Sequence, residues 1–460
     1  MLIQKMFLTT FFILVCCCCS KSAFLDKKPN TNIVIPSTLD DMTQLLDNQD
    51  VFSFCTPASG IMSADEYYYP TQESFDAVFS KTEKNCFTWN KDIYGGEKEI
   101  PEWNAPYKAI FYSNVVLEGW EKLSNGEKES EKGAYVKAWA LFNRSYNYFN
   151  LVQAFALPYD QATASSDLGV PLKLTADIND VQKRATVQET YDRIISDLEA
   201  SIKLFTIAIS SKNLNRPSRS AGFALLARVY NYMRNYDKSL QAADSSLSIY
   251  STLIDYNTLD PEAYEPFTNY NTELVYYSIT NTTYQAVTVN SGSSTIDTAL
   301  VGLYDQNDLR KAIFFNVDKE NYSMRSGYNG IGGYPFTGLA VDEVYLLKAE
   351  GQARAGSLDA AKSTLNSLLI NRYKTGTYKP MTGTSKTEIL NAIVSERRKE
   401  LIWRGLRWSD IKRLNKEGAN ITLKRVIGST VFTLAPNDPR YVMPIPDDEI
   451  SLSHIQQNLR

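Results

Sequence analysis

Phe223-Ala-Leu-Leu-Ala-Arg-Val-Tyr230 continues through Tyr236-Asp237 to Ala242-Ala243, and Tyr345-Leu-Leu-Lys-Ala-Glu-Gly-Gln352 continues through Leu358-Asp359 to Thr364-Leu365; the two align at an offset of 122 residues, from 223 to 345. Each copy is an apolar run at helical spacing, a short polar break and a second helical run. In each, an alanine (Ala227, Ala349) follows an aromatic (Phe223, Tyr345) by four positions, so a small side chain lets a second helix approach closely. That is the logic of a tetratricopeptide-type helix pair, which buries its apolar face by stacking on its neighbours.

Outward from these pairs, helical spacing predicts helices over Ala105–Leu123, Glu131–Phe155, Thr186–Phe205, Ser218–Tyr232, Asp237–Tyr250, Val341–Ala355, Leu358–Asn371 and Lys386–Leu401. Thr186 with Glu189 three positions on predicts a capping box. The fold expected is mainly α: stacked tetratricopeptide-type helix pairs in a single large domain over 20–460. Two aromatic-rich insertions interrupt it, at about 51–103 and 251–339. The second carries two β-like runs, Leu274–Ile279 and Thr283–Val289. Long insertions on a repeat scaffold are functional or disordered, and their aromatic content argues against disorder.

At the N-terminus, Lys5 precedes an apolar run from Phe7 to Val15, too short to span a membrane, that ends in Cys16-Cys17-Cys18-Cys19. This predicts a lipoprotein signal over 1–19. Leu14 stands three before Cys17, the favoured acylation site, with Cys18 and Cys19 as alternatives because the polar Ser20-Lys21-Ser22 follows directly. Acyl chains such as palmitate anchor a chain stably when more than one is attached. Beyond this segment only Cys55 and Cys86 remain, a pair that an exported chain is able to join.

With 48 basic and 52 acidic residues the chain has no nucleic-acid footprint. A single histidine, His454, removes histidine-based triads and histidine-ligated metal sites, so no cofactor or metal is expected. Gly327, Gly330, Gly332 and Gly333 cluster without the Lys-Ser/Thr of a phosphate loop. The acidic clusters Asp65-Glu66 and Asp447-Asp448-Glu449, the only material for a glycosidase pair, are expected to be loop solvation and a helix N-terminus. The chain is expected to be a binding protein and not an enzyme.

Several motifs, in order, carry a family resemblance. They are Phe24-Leu25-Asp26-Lys-Lys-Pro29; Trp103-x3-Tyr107-x2-Ile110-x3-Asn114-Val115; Lys137 to Pro158 before Gly169-Val-Pro171; Arg184-Ala-Thr-Val-x-Glu-x-Tyr191; and Met443-Pro-Ile-Pro446-x-x-Glu449. The most specific is Ser395-Glu-Arg397-Arg398-Lys-Glu400-Leu-Ile-Trp-Arg404-Gly405-Leu-Arg407-Trp-Ser-Asp410-Ile-Lys-Arg413. Together they resemble the SusD/RagB family of outer-membrane nutrient-binding lipoproteins. Glu400 and Arg404 at i, i+4, and Arg407, Asp410 and Arg413 a turn apart, are expected to form a structural network of charge pairs. The chain departs from the family pattern at Arg404, where a glutamate is usual, at Ala340, where an arginine is common, and at its Gln457-Asn458-Leu459-Arg460 end.

The resemblance implies a lipid-anchored, surface-exposed outer-membrane protein that captures an oligosaccharide and caps a SusC-like TonB-dependent barrel. Alternatives are a peptide ligand, as in RagB, or a helical scaffold that binds only protein. Sugars stack their C–H faces on flat rings, and 29 tyrosines and six tryptophans supply them. The loop candidates are Tyr67, Tyr68, Tyr69, Trp89 and Tyr94 in the first insertion, and Tyr270, Tyr284, Tyr322, Tyr328 and Tyr334 in the second.

Overall fold

The scaffold is built from helices labelled here α1 (Pro101–Glu121), α2 (Glu131–Phe155), α3 (Val187–Leu204), α4 (Arg219–Tyr232), α5 (Tyr236–Ile249), α6 (Val341–Arg354), α7 (Leu358–Leu369), α8 (Lys386–Glu400) and α9 (Arg407–Lys416). In the computed structural model the described residues are 36–210, 213–281, 284–288, 292–330 and 333–460. The signal segment with Cys17, Cys18 and Cys19, and the Phe24-Leu25-Asp26 motif, lie outside them. Ser37–Arg460 forms one compact unit. The predicted helices are present with ends shifted by a few residues, and the fold is the expected stack of helix pairs.

Contacts run α1 to α2, α2 to α3, α3 to α4, α4 to α5, α5 to α6 and α6 to α7, with α8 laid on α6. The stack therefore continues straight across the excursion 250–340. The alanines of the two repeats are fully buried, and the Ser239 hydroxyl of α5 donates to the Ala227 carbonyl of α4 at 2.9 Å. Where the two repeats meet, Gly351 of α6 faces α5 so closely that a Cβ there would lie 2.8 Å from Leu240 Cβ. Only glycine permits that spacing.

Helix ends follow their cap residues. The Thr186 hydroxyl accepts from Glu189 N–H at 3.1 Å while Thr186 N–H donates to the Glu189 carboxylate at 2.8 Å, the predicted capping box. Central helix α2 buries nearly every residue from Ala138 to Phe155, so its last carbonyls have no water. Buried Lys412 of α9 supplies donors instead, to Gln153 O at 2.7 Å and Ala156 O at 2.9 Å.

The two insertions are one lobe. Phe54–Thr56 pairs in parallel with Ile279–Thr280, and Tyr67–Tyr68 pairs antiparallel with Thr295–Ile296. The Glu83 carboxylate accepts from the Tyr69 hydroxyl at 2.9 Å, Gln285 N–H at 2.9 Å and Ala286 N–H at 2.5 Å. These bonds account for a correction: within the second predicted β run, Gln285–Val287 is a 3₁₀ turn, because its N–H groups point at Glu83 and not at a strand. Leu274–Tyr276 does pair, with Leu339–Ala340. Cys55 and Cys86 are separate free thiols, both buried and pushed up to about 12 by that burial.

Candidate functional site

The most specific motif folds into a buried ion network. Helix α8 stops at Glu400, since Trp403 and Gly405 adopt left-handed backbone (φ 61° and 74°). This break overturns the expected Glu400–Arg404 pair. Glu400 is instead held by Arg310 at 2.8 Å and Arg372 at 2.7 Å, while Arg404 Nη1 donates to Asp342 at 3.0 Å. Arg397 reaches Asp410 at 2.8 Å, Arg413 reaches Glu350 at 2.7 Å, and Arg228 reaches Glu343 at 2.5 Å. Asp410 and Arg413 do face each other, at 3.6 Å, whereas Arg407 and Arg398 turn to Asp65, at 2.7 and 3.1 Å.

Asp65 and Glu66 are therefore not loop solvation. Asp65 is an anchor for the motif, and buried Glu66 accepts from Trp403 N–H at 3.0 Å. Asp447–Ser453 is a short helix opening on its acids, as expected. Glu273, Asp342 and Glu400 bring carboxylate oxygens within 4.8 Å of one another. The positive charges beside them are guanidiniums of Arg372, Arg404 and Arg310. Arg404, which replaces the usual glutamate, lies over the rings of Tyr328 and Phe336 at 4.1 and 4.7 Å.

The aromatic candidates divide by burial. Trp89 (2 % exposed) packs in the core with its indole N–H on Ser63 O at 3.0 Å, and Tyr94 (3 %) donates to Pro444 O at 2.8 Å. Tyr284 and Tyr328 are buried, the latter with its hydroxyl donating to Glu273, and Tyr67 and Tyr69 pack on Phe87. These six are core residues of the lobe and offer no free ring face, contrary to expectation. Pairing of the insertions, together with Arg404, Arg425 and Pro444 from the C-terminal part of the chain, covers the rings that a sequence places in loops.

Tyr68, Tyr270, Tyr322 and Tyr334 keep some exposure. The Thr295 hydroxyl joins the strands carrying two of them: Thr295 pairs with Tyr68 and accepts from Tyr322 N–H at 2.9 Å. Tyr270 is the most exposed of the predicted set at 39 %. Its backbone is left-handed (φ 52°), held by its N–H on Asn329 O at 3.1 Å, and its ring stands edge-on to Tyr277 at 5.2 Å. Beside it, buried Asn329 has a side-chain oxygen without a protein partner.

Sequence reasoning missed Phe79 (98 % exposed) and Tyr264 (74 %). For Phe79 a signal existed. It precedes the N-cap Ser80 of helix Lys81–Phe87, the place of a hydrophobic staple, but the partner position four residues into the helix is Lys84. Nothing apolar waits there for the ring.

Residues 23–231 match a family model described as starch-binding associating with outer membrane, and residues 309–459 match the model of the SusD family. No curated protein matches. Among solved structures, the chain is similar to a SusD superfamily protein from Bacteroides thetaiotaomicron (22 % identity, TM-score 0.74, covering 92 % of this chain and 100 % of that one). It is also similar to a putative sugar binding protein from Bacteroides vulgatus (23 %, TM-score 0.70, 92 % and 98 %). A third is surface glycan-binding protein A from Bacteroides fluxus (18 %, TM-score 0.70, 92 % and 99 %). Matched family models at both ends, the stacked helix pairs and the folded-in 395–413 motif agree, and the chain belongs to the SusD/RagB family.

Proposed function

We propose that this chain is a lipid-anchored surface protein that binds glycan and caps a SusC-like TonB-dependent outer-membrane barrel, delivering ligand to it. One observation carries the glycan part. Among the described residues, the aromatic side chains that face solvent most openly are Phe79, Tyr264 and Tyr270, and all three lie in the lobe formed by the two insertions. Folding has covered most of the other rings there, leaving Tyr68, Tyr322 and Tyr334 partly exposed. A ring left open on the lobe is a platform for a sugar face. The names of similar structures, a sugar binding protein and a surface glycan-binding protein, support the same ligand class. The charged groups of the 395–413 motif are engaged in ion pairs, with one another and with Arg310, Asp342 and Glu350, which favours binding over catalysis.

Calorimetric titration of the full chain against oligosaccharides and peptides tests this. Tyr270→Ala and Phe79→Ala are each expected to cost about 1–3 kcal/mol of glycan binding, one to two decades in Kd, without loss of fold stability. Glycan binding unchanged in both variants would remove these rings from the site. Binding of peptides alone would establish the peptide reading, and binding of no panel member would leave a protein-binding scaffold.

A further inference from the structure

A narrow crevice of about 40 Å³ lies between residues 56–60, the C-terminal part of α2 and the segment 404–409, which leads into α9. It has room for about three water-sized occupants and excludes a sugar ring. Its lining residues include Arg228 and Arg404, the hydroxyl residues Ser59 and Ser409 and the amides Asn150 and Gln153, and no carboxylate. Arg228 is satisfied elsewhere, by Glu343 and the Gly338 carbonyl at 2.6 Å. Arg404 is not. It is 2 % exposed, only its Nη1 has a partner, and its Nε and Nη2 have none. The Ser59 hydroxyl is fully buried and equally unpartnered.

Unpaired donors on a buried cation call for an acceptor. Water would serve, but it brings two donors of its own beside guanidinium N–H groups and a hydroxyl that already lack acceptors. Asp342 is the one ion-pair partner of Arg404. We propose that this crevice binds one small inorganic monovalent anion of halide size, held by Arg404 and the Ser59 hydroxyl. The anion ties the turn after α8 to the start of the first insertion. The site is separate from the aromatic lobe surface and does not depend on the glycan reading.

The test is thermal unfolding of the full chain in detergent, with sodium bromide replacing sodium gluconate at constant ionic strength. Gluconate is too large for the crevice. A saturable rise in Tm with bromide is expected, together with a single anomalous bromide peak beside Arg404 in crystals grown from it. Ser59→Ala removes no protein–protein hydrogen bond, so its Tm in gluconate should not fall, while its half-saturating bromide concentration should rise about tenfold. Arg404→Lys keeps a charge for Asp342 and should abolish saturation. The proposal is overturned if Tm shows no saturable bromide dependence, if Ser59→Ala titrates like the parent, or if the crevice holds only water at saturating bromide.

Discussion

Glu102 shows what burial does to one residue. Its carboxyl is wholly enclosed in α1, with the Asn281 amide donating to one oxygen at 3.0 Å and no partner on the other. Burial pushes its pKa from 4.5 up to about 7. The folded value is above the unfolded one, so the contribution to stability is complete below about 4.5 and is lost as pH rises towards 7. Glu102→Gln should therefore be more stable than the parent at pH 8, by an amount of the order of 3 kcal/mol, and should match it more nearly at pH 4.5. Urea unfolding of both chains at the two pH values checks this; an equal difference at both would remove the ionisation argument. Glu66 and Glu273 are raised to about 7 for the same first cause, burial, so the parent keeps a residual slope that the comparison cancels. Nothing in the sequence around Glu102 announced this. A glutamate in the first turn of a helix is ordinarily exposed and ionised, and here Asn281, from the other insertion, closes over it.

At the scale of elements, the periodicity of apolar residues was sufficient. The helices appear where spacing placed them, and the Thr186–Glu189 cap closes as its residue types require. What spacing does not encode is how near two elements come. Gly351 has no turn to make, lying within α6, and a glycine there costs about 1 kcal/mol relative to alanine in helix propensity. Its role is the approach of Leu240, with Tyr236 O also 3.2 Å from where a Cβ would stand. Gly351→Val should lower stability by about 1–3 kcal/mol through overpacking between the repeats, visible as a lower urea midpoint. A variant of unchanged midpoint would mean that α5 and α6 slide apart freely. The 395–413 motif marks the opposite case: helical spacing suggested pairs within one helix, and the left-handed Trp403 and Gly405 redirected the charges to Asp342, Asp65 and Glu350.

For the whole molecule, the predictions concern where the chain sits and what it sits on. Palmitate is expected to label the full chain, and replacement of Cys16, Cys17, Cys18 and Cys19 together should abolish both label and anchor. A labelled quadruple variant would show that the anchor lies elsewhere. In mild detergent a barrel transporter should copurify with the chain, since a surface lipoprotein that only captures ligand has no means of moving it inward. Repeated recovery of the lone chain would count against the capping role. The helix-pair scaffold and the family were legible in the sequence, because local periodicity and short charged motifs act over a few turns. Which rings of the two insertions face solvent was decided only by tertiary structure. Glu83 gathering the N–H groups of Gln285 and Ala286, and strands such as Tyr67–Tyr68 pairing with Thr295–Ile296, join segments some two hundred residues apart, and Arg404, Arg425 and Pro444 close over Tyr328, Trp89 and Tyr94, while Tyr270 and Phe79 stay outside. Exposure belongs to the assembled surface, and no spacing along the chain records which surface another segment will cover.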